Sequence, residues 1–186
     1  MRFIALHGRA HAGKDTIAGM LVQQHDFSRV SFAGPIKDGL IAMFGLSRAE
    51  LEDDRKEKPV PWLGVSPRRL MQTLGTEWGR NMIRDDLWIA LADRRIAQMR
   101  KYGTRLVITD VRFENEAAWI RRIGGEIWHV LRPQASNVVP LHASEDGIRL
   151  LAGADSVIDN SEGLEQLAGK VRAALEGERI VQGFVR

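Results

Sequence analysis

An apolar run, Phe3-Ile4-Ala5-Leu6-His7, halts at Gly8 and gives way to Arg9-Ala10-His11-Ala12-Gly13-Lys14-Asp15-Thr16. Few local patterns restrict a fold as tightly. The run reads as a buried strand, and Ile17-Ala18-Gly19-Met20-Leu21-Val22 resumes with the apolar density of a helix. Between them lies G-x-x-x-x-G-K, the spacing of a phosphate-binding P-loop in its strand–loop–helix context. Glycines let successive backbone N–H groups turn inward around a phosphate, and the helix N-terminus adds partial positive charge. Lys14 would then reach the outer phosphates. The Ser or Thr that ordinarily follows the lysine and holds Mg²⁺ is replaced by Asp15, with Thr16 one place later. A glycine-rich turn that merely caps a helix has the same spacing, but a position directly after the N-terminal strand argues for phosphate.

Further along, strands and helices alternate. Arg29–Ala33 reads as a short strand, and Gly34-Pro35 opens a helix through about Phe44, with proline where the first helical turn tolerates it. That puts Lys37 near a strand's C-terminal end, where open α/β sheets bind ligands; a solvated helix-start lysine is the plainer alternative. Ser47–Val65, with its charge run Asp53–Lys58 and prolines 59 and 61, reads as a surface helical turn and an irregular segment. Trp62 there is either a lid aromatic or an anchor. Ser66 caps a helix with Pro67 in first position, its apolar side being Leu70, Met71 and Leu74. Arg68 and Arg69 in its first turn oppose the helix dipole, as an anion site would. Gly75 and Gly79 permit close approach of backbone or ligand. Asp85-Asp86 caps a helix from Leu87 through Met99. Arg105–Asp110 is a buried strand ending in a carboxylate, which in P-loop folds sits beside the phosphate loop and can hold Mg²⁺ through water. A helix ending near Arg122, a strand Glu126–Leu131, an irregular stretch Arg132–Leu141, a strand Ser156–Ile158 and a helix Leu164–Leu175 complete the chain, with 179–186 an edge strand or a fraying tail. The alternation predicts an α/β fold of the P-loop NTPase type, three-layer α/β/α with a mainly parallel sheet. We expect a single domain over residues 1–186, with a helical insertion at about 45–100 and a lid at about 132–146.

Composition narrows the class. With 186 residues the chain can bury a real core. A net charge of +3 is too small to imply nucleic-acid binding, although the isoelectric point of 9.6 looks basic; it suits a cleft for anionic phosphates. Cysteine is absent, which excludes disulfides and thiolate metal sites. No apolar run has the length of a membrane span, and no signal-peptide pattern precedes the first strand. We therefore expect a soluble cytoplasmic protein with no nucleic-acid or membrane partner.

Arginines 68, 69, 80, 84, 112 and 132 cluster where strands end or the helix after Ser66 begins. Phosphoryl transfer between two anions needs cations that neutralise both and hold them in line. Together with the small size of the chain and the irregular stretch late in the sheet, this points to a kinase for a small phosphorylated acceptor.

Several blocks carry a family resemblance. The loop Gly8–Thr16 with its G-K-D-T ending, Gly34–Asp38, Pro67–Arg80 and Thr109–Ala117 together resemble the deoxynucleoside monophosphate kinases of tailed bacteriophages. His142–Glu145 and Asp155–Asn160 are similar to late blocks of that family. The resemblance spans nearly the whole chain in order, and Gly75–Gly79 lies in its most specific block. It implies transfer of the γ-phosphoryl of ATP to a deoxynucleoside 5′-monophosphate, with Mg²⁺, in the host cytoplasm if the chain is phage-encoded. It also implies that Ala12, Gly13, Lys14, Asp15 and Thr16 wrap the ATP phosphates, with Asp15 and Thr16 at the metal or its water shell. The acceptor side falls to Arg68, Arg69, Gln72, Gly75, Thr76, Trp88 and Asp110, with Lys37 and Arg112 beside them. Arg68 and Arg69 can grip a phosphate in forks, Gln72 and Thr76 sit one helical turn apart, and Trp88 offers a surface for stacking or a wall beside the sugar. Asp110 could orient either a sugar hydroxyl or the metal's waters. Arg132 is the lid arginine for the transferring phosphoryl, which makes Lys14, Asp15 and Arg132 the catalytic set. His11 and Ala12 depart from the family's serine-rich loops. Rival readings are another small P-loop kinase resembling phosphomevalonate kinase, against which the Pro67–Arg80 block speaks, and a non-catalytic nucleotide- or nucleic-acid-binding module. A homodimer is left open.

Overall fold

Five short segments pair edge to edge; the inner ones carry runs of branched or aromatic residues that water would not solvate, while the edge strands Phe27–Val30 and Ser156–Asp159 mix apolar and polar residues. In the computed structural model, which describes residues 2–133 and 147–177, they are β1 (Phe3–His7), β2 (Phe27–Val30), β3 (Arg105–Ile108), β4 (Glu126–Leu131) and β5 (Ser156–Asp159). All described pairings are parallel, in the order β2-β3-β1-β4-β5. The helices are α1 (Lys14–His25), α2 (Gly34–Phe44), α3 (Pro67–Gln72), α4 (Leu87–Arg100), α5 (Glu114–Arg122) and α6 (Leu164–Glu176).

The residues gather into two compact units, Met1–Val30 with Gln98–Arg186, and Ser31–Ala97. The first holds the whole sheet. Strand alternation sends Ile4, Leu6, Trp128, Val130 and Ile158 to one face, where they meet Ile17 and Leu21 of α1 and Leu167 and Val171 of α6. Phe3, Ala5 and His7 take the other face, and the Phe3 ring meets Trp119 of α5 edge-on at 6.2 Å. Helices thus cover both faces of a parallel sheet, the three-layer α/β/α arrangement that the alternation predicts. The sheet connection reverses at β1: β3 lies on one side of it and β4 on the other. Such a switch point leaves a crevice at the carboxyl ends of the strands, the place for a ligand in an open α/β sheet.

The second unit is helical. Ser47 caps a 3₁₀ turn, Arg48–Leu51, and a second follows at Asp53–Glu57 where a single helical turn is expected; residues 58–66 then form the expected irregular segment. Trp62 is 67% exposed, with its ring 6.4 Å from Phe44. Ser66 Oγ accepts the Arg69 N–H at 3.3 Å, and Pro67 takes the first position of α3. From Thr73 the chain widens into a π-helix that runs to Ile83. Pattern reading at helical spacing gives α-helix there; the two glycines explain the difference, as described below. β2 also lies two to three residues earlier than the expected Arg29–Ala33, because it is Phe27–Val30 that pairs in register with Arg105–Ile108 of β3. Of the lid expected at about 132–146, residues 134–146, with His142–Glu145, lie outside the described residues, as does the tail 179–186.

Candidate active site

The phosphate loop is fixed by contacts that only glycine permits at two points. Gly8 has φ +154°, and a Cβ there would stand 2.4 Å from the Val130 carbonyl oxygen. Gly13 has φ +103° and caps α1, and a Cβ on it would stand 2.3 Å from Asn160 Nδ2. Both conformations belong to glycine. Asn160 Nδ2 donates to the Ala12 carbonyl at 2.8 Å, and the Asn160 N–H donates to Leu131 at 2.7 Å. Lys170 in turn donates to the Asp159 carbonyl at 2.9 Å and steadies the turn that carries Asn160. Asn160 therefore underpins the loop from β5. Sequence reading sees Asp159-Asn160 only as a turn; the signal for more is that an amide ends a strand at the loop edge of the sheet. Lys14 Nζ lies at the loop mouth and donates to the Gly8 and Arg9 carbonyls at 2.6 and 2.7 Å.

Asp15 and Thr16 follow in the first turn of α1, both exposed. The Asp15 carboxylate pairs with the guanidinium of Arg29 on β2, and Arg29 Nε donates to Thr109 Oγ1 at 3.3 Å. Arg29 is a residue that sequence reading misses, since a lone arginine in a short strand gives no local signal. Thr109 and Asp110 directly follow β3, which ends at Ile108 and not at the expected Asp110 and lies next to β1 in the sheet. The Glu116 carboxylate, buried at the start of α5, accepts the N–H groups of Arg112 at 2.8 Å and Phe113 at 3.1 Å. That sets the course of the turn bearing Asp110 and Arg112, which are both half-buried. Arg132 follows β4 and is exposed. Among the described residues no three His, Asp or Glu side chains gather into a cage for a metal.

Behind the loop lies a set of titratable groups. Parallel register pairs His7 with His129, and their rings meet edge-on at 5.2 Å. His7 Nδ1 lies 3.0 Å from the Val111 carbonyl oxygen, so Nδ1 carries the proton; Nε2 accepts the Ile148 N–H at 3.4 Å. Burial pushes the His7 pKa below its ordinary value; the Val111 bond opposes this, and the neighbouring His129, Lys14 and Arg112 add to it. His129 Nε2 lies 3.2 Å from Asp155 Oδ2. Burial lowers His129 as well, against the pull of Asp155. Asp155 accepts Arg121 Nε at 3.1 Å, a terminal Arg121 nitrogen at 2.7 Å and the Leu151 N–H at 2.8 Å. Burial alone would raise its pKa, but these bonds bring it below the usual carboxylate range.

The second unit holds seven of the residues that the family resemblance assigns to an acceptor, Lys37, Arg68, Arg69, Gln72, Gly75, Thr76 and Trp88, while Asp110 and Arg112 belong to the sheet unit. Arg68 is half-buried and clasps Glu57 Oε1 through Nε at 2.9 Å and a terminal nitrogen at 2.7 Å. Arg69 is exposed and pairs with Glu77 at 3.0 Å. Lys37 pairs with Glu52 at 3.3 Å. Gln72 and Thr76 are half-buried; they flank the change from α- to π-helix rather than lying in one α-helix. Trp88 is 6% exposed, and its indole Nε1 donates to the Gly75 carbonyl at 2.7 Å. A Cβ on Gly79 would sit 2.5 Å from the same ring, and one on Gly75 would sit 3.0 Å from Ile36 Cδ1. Trp88 is thus a wall behind the two glycines, with little face left open for stacking. Two of the clustered arginines are occupied locally. Arg80 is buried and donates to the Asp85 carbonyl at 2.8 Å, and Arg84 forks onto Asp86 at 2.5 and 2.8 Å.

A family model described as deoxynucleotide monophosphate kinase matches residues 57–171. The chain is 29% identical over 189 aligned residues to a provisionally named deoxynucleotide monophosphate kinase of Acanthamoeba polyphaga mimivirus, covering 95% of this chain and 97% of that one. It is 25% identical to the deoxynucleotide monophosphate kinase of Enterobacteria phage T4, over 95% of this chain and 99% of the phage protein. Among solved structures, dephospho-CoA kinase from Campylobacter jejuni superposes with a TM-score of 0.52 at 10% identity, covering 96% of this chain and 98% of that one. This last likeness is one of fold.

Proposed function

The chain belongs to the deoxynucleotide monophosphate kinase family, and from that premise we propose which of its residues carry the transfer. The enzyme is a phosphotransferase that phosphorylates deoxynucleoside monophosphates with ATP. A phosphate oxygen of the acceptor forms a bond to the γ-phosphorus, the bond from that phosphorus to the β–γ bridging oxygen breaks, and ADP leaves. Such a transfer is mostly a matter of placement and charge neutralisation.

The observation that carries the assignment is the loop itself. Gly8 and Gly13 hold conformations and close approaches that a Cβ would fill, at the N-terminus of a twelve-residue helix, which is the build of a phosphate cradle. The Gly13 backbone N–H holds the donor phosphates beside Ala12, whose own N–H closes the loop onto the Arg9 carbonyl at 3.2 Å, and Lys14 neutralises the outer ones. For the metal, Asp15 and Thr16 offer carboxylate and hydroxyl oxygens, the hard donors that Mg²⁺ takes, and one or two side chains suffice because Mg²⁺ keeps waters and phosphate oxygens. Bound there with ATP, Mg²⁺ would neutralise charge on the β- and γ-phosphates. Arg68 and Arg69 bind the acceptor phosphate, with their carboxylate partners Glu57 and Glu77 giving way to the more highly charged ligand. Gln72 and Thr76 meet the base or sugar, and Gly75 leaves room for it. Lys37, Asp110 and Arg112 complete the acceptor side, and Trp88 backs the glycine wall. Arg132 stabilises the transferring phosphoryl. No role in this scheme requires a second copy of the chain.

The test is acceptor profiling with dAMP, dGMP, dCMP, dTMP and their ribonucleotides in a coupled assay. Turnover is expected with at least one deoxynucleotide, and none with any would sink the assignment. Lys14→Ala should lower kcat by about a hundred-fold or more with an unchanged circular dichroism spectrum; near-normal turnover would remove Lys14 from the donor site.

A further inference from the structure

His7 stands at a junction that the transfer scheme leaves unused. It is the last residue of β1 and directly precedes Gly8, whose carbonyl receives Lys14. One ring nitrogen holds the Val111 carbonyl, in the turn between Asp110 and Arg112; the other receives the N–H of Ile148, which precedes β5. Gly147, at φ +82°, lies directly beside the ring, where a Cβ would make ordinary contact at 3.7 Å. The Ile148 segment is tied down independently, by Glu114 to the Arg149 N–H, by Arg121 to the Arg149 carbonyl at 2.8 Å, and by Asp155. His7 is therefore the ring through which the root of the phosphate loop, the Asp110 turn and the Ile148 segment keep one spacing.

We propose that His7 is a positioning residue for phosphoryl transfer. Neutral and protonated on Nδ1, it sets the Asp110–Arg112 turn against the phosphate loop, and protonation of Nε2 breaks that alignment. The inference rests on the kinase assignment above. Its chemistry follows from the donor and acceptor count. Neutral imidazole offers one donor and one acceptor, which are the two groups that Val111 and Ile148 require. A second proton sets N–H against N–H at Ile148, and it places a cation among Lys14 from α1, Arg112 from the β3–α5 turn and His129 from β4. Among the described residues no carboxylate touches the His7 ring directly; Asp155 lies beyond His129. A misplacement of this kind costs turnover without touching a reacting atom, and shifts of about 1 Å reach about a hundred-fold.

The test combines kinetics with imidazole ¹⁵N NMR on the wild-type enzyme, from about pH 5 to 8.5. Wild type should show the Nδ1–H tautomer at His7, and kcat should fall on the acid side with the midpoint of the His7 titration. His7→Asn keeps a donor towards Val111 and takes no proton. It should retain more than about a tenth of kcat at pH 8 and lose the acid limb. His7→Leu offers no donor and should lose about ten-fold or more in kcat at pH 8, a deficit that narrows on the acid side as wild type loses its own alignment, with KM for ATP within about two-fold. An Nε2–H tautomer, a midpoint that differs from the kinetic limb, or an acid limb unchanged in His7→Asn would each overturn the proposal. Should neither variant fold, the two wild-type midpoints decide alone. Wild-type turnover absent with every deoxynucleotide would instead be a failure of the kinase assignment.

Discussion

A carboxylate in the position after the P-loop lysine has two masters. Asp15 supplies the kind of oxygen that Mg²⁺ takes, yet Arg29 already neutralises it from β2. Both side chains are largely exposed, at 79% and 47% for Asp15 and Arg29, so the pair adds under about 1 kcal/mol to stability. Its weight falls on the metal. Asp15→Asn should raise the Mg²⁺ concentration for half-maximal rate several-fold, because a carboxamide is a poorer donor to a hard cation. Arg29→Gln should lower it, because the competing cation is gone. Both variants should unfold in urea within about 1 kcal/mol of wild type. A Mg²⁺ titration with each variant decides; identical half-saturation in all three proteins would take Asp15 away from the metal. Half of this is legible in the sequence. Asp15 declares itself by its place in the motif, whereas Arg29 is found only once β2 is set beside β3 and the arginine reaches Thr109.

Elements show the same division between local and long-range signals. Strands β1, β3 and β4 are legible because an uninterrupted apolar run bounded by glycine or proline has no better use than a buried parallel strand. α1, α2, α4, α5 and α6 announce themselves by caps and spacing. The stretch Thr73–Ile83 does not, since nothing in its period separates a π-helix from an α-helix. What distinguishes it is tertiary: Trp88 draws the Gly75 carbonyl to its indole, and the ring fills the space beside Gly79 where a side chain would stand. A wide turn of this kind often marks a functional site. Trp88→Phe would leave the buried Gly75 carbonyl without its donor, at a cost of about 1–3 kcal/mol, and the vacated volume adds to it. The glycine wall should relax with it, so KM for the deoxynucleotide should rise at least about three-fold while KM for ATP stays within about two-fold. A parallel rise in both constants would mean that the indole supports the whole fold rather than the acceptor side.

For the molecule as a whole, alternation of strands and helices was enough to read a three-layer parallel fold. The division into a sheet unit and a helical unit of Ser31–Ala97 was only partly visible, since α2 looks in sequence like any crossover helix of the sheet. Among the described residues no helix is long and apolar enough to cross a membrane. Least legible of all was the His7–His129–Asp155–Arg121 network, whose members are scattered along the sequence and meet only through strand register and the packing of α5. Yet it should govern how stability depends on pH. His7 and His129 both titrate below the ordinary value of about 6.5 in the folded protein. Above that value neither state binds the extra protons and the two histidines leave stability flat. As pH falls through it, the unfolded chain takes up protons that the folded chain refuses, so stability drops until the folded histidines titrate in turn. Asp155, held low by Arg121, Leu151 and His129 despite its burial, acts in the same direction further down: its contribution is full above about pH 4 and is lost as pH falls through its folded value. Urea unfolding monitored by tryptophan fluorescence should therefore give a midpoint that is level from about pH 7 to 8 and falls steadily from about 6.5 to 5. His129→Asn should flatten part of that fall and His7→Asn another part. A midpoint that holds level or rises on acidification over that range would mean that the two rings accept protons in the folded protein as readily as in the unfolded chain.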